Sequence, residues 1–109
     1  MKFEITMQGN FTIIHLKDKI DISNAPLLDC LLETKIRAGQ NAIILDLTEV
    51  TFVDSTGASV LARIYRVLKE SEGMMILAGC SPFLKKLFCT IGFHKIFLIT
   101  STLDEALLR

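Results

Sequence analysis

The 109-residue sequence predicts a single α/β domain over residues 1–109, a mixed β-sheet covered by about four helices. Three observations carry that expectation. Two short apolar runs at the start are split by Gly9-Asn10, a hairpin signal. Apolar runs then alternate with segments of helical period. Ile43–Leu45 and Met75–Leu77 are continuously apolar, as strands buried on both faces are, and are expected as central parallel strands.

Taken in order, KFEITMQ (residues 2–8) and FTIIHLK (11–17) form the hairpin. In DISNAPLLDCLLETKIRAG (21–39), Leu28, Leu31, Leu32 and Ile36 recur at helical spacing. Ser23 or Asn24 can cap that helix, Pro26 suits its first turn, and Gly39 stops it. NAIILDL (41–47) is the next strand, followed by a turn. VTFVDSTGASVLARI (50–64) begins as β and continues as helix, with Val60, Leu61, Ile64, Val67 and Leu68 on one apolar stripe. Gly73 ends this helix and MMILAG (74–79) returns to strand. Ser81-Pro82 reads as a cap and first turn for FLKKLF (83–88), KIFLIT (95–100) as a last strand, and STLDEALL (101–108) as a short helix with an S-x-x-D capping box.

Composition narrows the function. Twelve basic and twelve acidic residues give a formal charge of zero, which argues against direct nucleic-acid binding. No apolar run approaches the roughly 20 residues of a membrane span, and Met1-Lys2-Phe3-Glu4 opens no signal-peptide hydrophobic region. A cytoplasmic protein without membrane contact is expected. Cys30, Cys80 and Cys89 lack metal-ligand spacing and read as reduced, buried thiols. His15 and His94 have no second ligand nearby in sequence, so no metal or other cofactor is expected.

The junction Asp54-Ser55-Thr56-Gly57 is where chemistry concentrates. It falls beyond the carboxyl end of a strand, where sites gather in α/β sheets, and at a helix N-terminus, which favours negative charge by about 0.3–1 kcal/mol. One reading is structural: Asp54 or Ser55 caps the helix. The other is functional: a hydroxyl held here can carry a phosphate of charge about −2. Ser59, Arg63 and Arg66 follow on the same helix, off the apolar stripe, as either a solvated face or one contact surface with the junction.

The stretch AIILDLTEVTFVDSTGASVLARIYRVLKESEGMMILAGCSPFLKKLFCTIGFHKIF (42–97), with KIDISNAPLL (19–28) before it, resembles the STAS domain of bacterial anti-sigma-factor antagonists over almost the whole chain. That resemblance implies a non-enzymatic regulator that binds an anti-sigma factor, itself a serine kinase, and so frees a sigma factor. Phosphorylation of the Ser after the Asp, here Ser55, breaks the association, and a serine phosphatase restores it. Asp21 matches the family's early acidic residue, expected near the acceptor. The expected partner surface comprises Asp21, Asp54, Ser55, Thr56, Gly57, Ser59, Arg63 and Arg66. The alternative within the family is a scaffold or transport-associated STAS module not controlled by phosphorylation.

Two enzymatic readings fare worse. Ser55 and His94 with an Asp would need a nucleophile elbow of the form G-x-S-x-G, which is absent. STGAS lacks the glycines and Lys of a phosphate-binding P-loop.

Overall fold

A computed structural model of the protein describes residues 3–108, so Lys2, which opens the first expected strand, lies outside the described residues. The elements are β1 (Phe3–Gln8), β2 (Phe11–Ile20), α1 (Ala25–Arg37), β3 (Ala42–Val53), α2 (Ser55–Glu70), β4 (Met74–Ala78), α3 (Pro82–Thr90), a 3-10 turn (Phe93–Lys95), β5 (Leu98–Ile99) and α4 (Leu103–Leu107). They form one sheet in the order β1-β2-β3-β4-β5. β1 runs antiparallel to β2, and every later pair is parallel.

Side-chain alternation sorts the sheet into two faces. Ile14, Leu16, Ile43, Leu45, Leu47, Met75 and Leu77 join the large cluster that also takes Leu28, Leu32 and Ile36 of α1 and Leu61, Ile64 and Leu68 of α2. Ile13, Ile44, Ile76 and Ala78 face the other way and pack with Ala106 of α4. Ile43, Ile44 and Leu45 are all fully buried, as the continuous apolar run requires of a strand at the sheet centre.

Several local expectations are revised. β3 is one twelve-residue strand with no turn inside it. Its pairing with β2 shifts between His15/Lys17 and Asp18/Lys19, where β3 carries an extra residue each time. The polar residues that read as a turn are absorbed by these bulges. Asp18 takes a positive φ of 65°, and its carbonyl accepts a hydrogen bond from the Thr51 hydroxyl at 3.1 Å. The last strand shrinks to Leu98–Ile99, because Phe93–Lys95 form a 3-10 turn. The α4 cap moves one residue on: Thr102 accepts from the Glu105 amide at 3.1 Å, while Ser101 meets Lys85 instead.

Of the three thiols only Cys80 is buried; Cys30 and Cys89 are exposed on α1 and α3, contrary to the apolar neighbours that suggested burial. Each occupies the outer face of a helix whose inner face is filled by Leu28, Leu32, Leu84 and Phe88. His15 bridges three strands: its Nδ1 is hydrogen-bonded to the Asp46 carboxylate at 2.7 Å, and its Nε2 to the Thr6 hydroxyl at 2.9 Å. Burial would raise the Asp46 pKa, but hydrogen bonds from Thr48 and His15 outweigh it and hold the carboxyl below its usual range.

Candidate functional site

Because β2, β3 and β4 are parallel, their carboxyl ends meet at one end of the sheet, and the chain enters α1, α2 and α3 from there. Ile20 and Val53 are the last paired residues of β2 and β3. Past them the two loops stay joined. The Asp54 amide donates to the Ile20 carbonyl at 3.0 Å, and the Ile22 amide donates to Asp54 Oδ2 at 3.1 Å.

Asp54 Oδ1 accepts from the Gly57 amide at 2.8 Å, and the Asp54 backbone is extended, the geometry of an N-cap. The cap is therefore Asp54, not Ser55. Ser55 becomes the first residue of α2, exposed, and its hydroxyl makes no hydrogen bond among the described residues. Each Asp54 oxygen accepts from a backbone amide, so this carboxylate ties the two loops together.

Gly57 is buried and presents no side chain to a partner. A Cβ there would stand 2.8 Å from both the carbonyl oxygen and Cγ2 of Ile20 and 3.0 Å from Val53 Cγ1. The first turn of α2 lies that close to β2 only because the position is glycine. Asp21 sits between Ile20 and Ile22, the two residues bonded to Asp54. Its carboxylate accepts from the hydroxyl and the amide of Ser23, which hold its pKa below the usual range and keep it ionised.

The rest of the expected surface divides. Thr56 is half-buried, while Ser59 and Arg66 are exposed. Arg63 turns toward α1, where it grips Asp29 through two nitrogens and also reaches Glu33. Arg37 holds the other Glu33 oxygen at 2.7 Å. Those carboxylates raise the Arg63 pKa further, and the hydrogen bonds from Arg37 and Arg63 lower that of Glu33. Arg63 is a brace between two helices. His94 lies in the 3-10 turn, lining a depression with Lys85 and Cys89, and does not join Ser55.

Beside Ser55 opens a groove of about 270 Å³ lined by Phe52, Val53, Asp54, Ser55, Ala58, Leu87 and Ile91. Phe52, one of the lining residues, stacks on Phe83 of α3, with ring centroids 6.3 Å apart. The readable signal was the spacing of Phe83, Leu87 and Ile91 at i, i+4 and i+8, a second apolar stripe beside the buried Leu84 and Phe88.

The chain matches the STAS domain family over residues 2–106. It is 31% identical over 96 residues to the anti-sigma-B factor antagonist of Listeria monocytogenes, covering 81% of this chain and 84% of that one. The solved structure of the Bacillus cell fate determinant SpoIIAA in its phosphorylated form is 25% identical, with a TM-score of 0.76 over 97% of this chain and 96% of that one. A sulfate transporter family protein from Wolinella succinogenes has a TM-score of 0.83 at 20% identity, covering 94% of this chain and 86% of that one, a likeness of fold alone. The matched STAS model spans nearly the whole chain, and the Listeria relative passes 30% identity over most of it. The chain belongs to the STAS domain family, among the anti-sigma factor antagonists.

Proposed function

We propose that the chain is a phosphorylation-controlled antagonist: unphosphorylated, it binds an anti-sigma factor that is also its serine kinase, and a phosphate on Ser55 ends that association. The observation that supports this reading most is the state of Ser55. It is the exposed first residue of α2, with a free hydroxyl on a junction that Asp54 already caps. The hydroxyl can be modified without removing a bond the fold uses.

A phosphate there adds a charge of about −1.5 to −2 next to Asp54 and close to the ionised Asp21 loop. A contact surface that already carries Asp54 and Asp21 becomes far more anionic and hydrated, and binding fails without refolding. A serine phosphatase reverses the step. Transfer of one phosphate from the anti-sigma factor and ATP, mapped to Ser55 by mass spectrometry, is the test. A chain that binds the anti-sigma factor but never takes phosphate would instead be the unregulated interaction module.

A further inference from the structure

We infer that a cavity beside the C-terminal half of α2 binds a small apolar carboxylate, its ring or chain inside the cavity and its charge at Lys69. The site does not depend on the reading of Ser55. It exists because β5 is short. β5 pairs with β4 only at Ile76↔Leu98 and Leu77↔Ile99, so Met74 and Met75 have no fifth strand beside them. Ile96 and Phe97, which follow the 3-10 turn, border that gap instead. Between them and the last turns of α2 a cavity of about 150 Å³ is left.

The floor is apolar and fixed. Leu68, Met75 and Phe97 are buried core residues that also line the cavity. Tyr65 closes one side, edge to face with Phe97 at 5.8 Å, and Phe97 in turn packs on Phe93 at 5.4 Å. Atoms facing such a void lack dispersion partners, and an apolar cavity of about 150 Å³ stays dry and admits a benzene-sized guest. The rim supplies the polarity. Lys69 is the single charged residue of the lining, and it makes no ion pair among the described residues. Its Nζ lies 5.6 Å from the Tyr65 ring centroid, a contact that keeps the ammonium at the cavity. A guest with an apolar body and one carboxylate meets both demands, whereas a neutral guest leaves the ammonium unpaired and a cation is repelled by it. Counted along α2 at about 1.5 Å per residue, Lys69 lies about 21 Å from Ser55, so an occupant does not obstruct the junction.

Tyr65 is the one tyrosine in a chain without tryptophan, so its fluorescence reads the cavity directly. The probes are cyclohexanecarboxylate, which does not absorb where tyrosine does, and its neutral analogue cyclohexylmethanol. The full chain should give a saturable change with both and bind the carboxylate more tightly. Lys69→Met keeps an apolar stem and removes the charge. It should weaken the carboxylate by about twofold to fivefold, as suits an exposed charge pair, and leave the alcohol unchanged. Ile96→Phe, at the half-buried rim, should weaken both probes by filling the cavity, with melting as the control of folding. Should that variant fail to fold, amide shifts of isotope-labelled wild type decide, and they should cluster at Gly73, Met75 and Leu98. No saturable response, or shifts that cluster elsewhere, would remove the site. A carboxylate that binds no better than the alcohol and is unmoved by Lys69→Met would overturn the assignment of an anion.

Discussion

The Asp54 carboxylate accepts a hydrogen bond from the amide of Ile22, thirty-two residues earlier in the chain, at 3.1 Å. With its other oxygen it caps α2 through Gly57. One side chain thus fixes both the start of the helix that carries Ser55 and the loop that carries Asp21. Asp54→Ala removes both bonds and should cost about 1–3 kcal/mol in urea denaturation. Asp54→Asn keeps a capping oxygen but turns an NH2 donor toward the Ile22 donor. That variant should lose less stability than Asp54→Ala while hydrogen exchange at the Ile22 amide speeds up. Unchanged Ile22 exchange would show that the tether does not hold in solution.

Gly57 gives a second test. Ala in a helix normally gains up to about 1 kcal/mol over Gly. Here the new Cβ would meet the Ile20 carbonyl at 2.8 Å, and backbone cannot swing aside as a side chain can. Gly57→Ala should therefore destabilise by about 1–3 kcal/mol and displace the first turn of α2. A rise in melting temperature would contradict the close packing of α2 on β2.

Local patterns were legible in the sequence wherever one element decided them. The run Ile43–Leu45 implied a buried strand whatever its neighbours were, and Ser81-Pro82 implied a helix start. What depends on two elements meeting was not. The bulges of β3 exist only against β2, so Thr48 and Glu49 read as a turn. Arg63 read as either a solvated face or a contact surface, not as a brace, because its partners, Asp29 and Glu33, lie at least 30 residues away on α1. At the site, the junction 54–57 was legible, but the choice of Asp54 over Ser55 as cap needed backbone geometry. The groove needed α3 docked beside β3.

The Arg63 brace predicts different fates for two arginines on one helix. Arg63→Ala leaves Asp29 without its bidentate partner and should cost about 0.5–1 kcal/mol, kept modest by solvent screening. Arg66→Ala, exposed and without an ion pair among the described residues, should leave melting nearly unchanged. Acid titration carries a further signature. The folded-state pKa of Glu33 lies below its usual 4.5, so its contribution is present above about pH 4.5 and lost as pH falls through the lower folded value. Arg63→Ala should flatten that acid slope in part, since Arg37 still holds Glu33.

The thiols should react in two classes. Burial pushes the Cys80 pKa up to about 12, despite the opposing charge of Lys85, so almost no thiolate forms at pH 8. Cys30 and Cys89 are exposed. Iodoacetamide on the native protein should label those two quickly and Cys80 only after denaturation. Equal labelling of all three in the native state would show that the Cys80 environment opens.

The last prediction concerns Ser55, and the cap geometry sharpens it. Because Asp54 caps α2, Ser55→Ala removes no bond used by the fold and should change stability by no more than about 0.5 kcal/mol. The variant should bind the anti-sigma factor as wild type does, yet accept no phosphate from it and ATP. Ser55→Asp should weaken binding, because a carboxylate then stands beside Asp54 at the mouth of an apolar groove. The weakening should be smaller than that of true phosphorylation, since one carboxylate carries about −1 where phosphate carries about −1.5 to −2. Thr56→Ala should still be phosphorylated, because its half-buried hydroxyl is not the one presented at the tip. Mass spectrometry of each variant after incubation with kinase and ATP decides the matter. Phosphate on Thr56 or Ser59 with Ser55 bare would move the switch to another hydroxyl, and an unmodified but fully binding chain would remove the switch altogether.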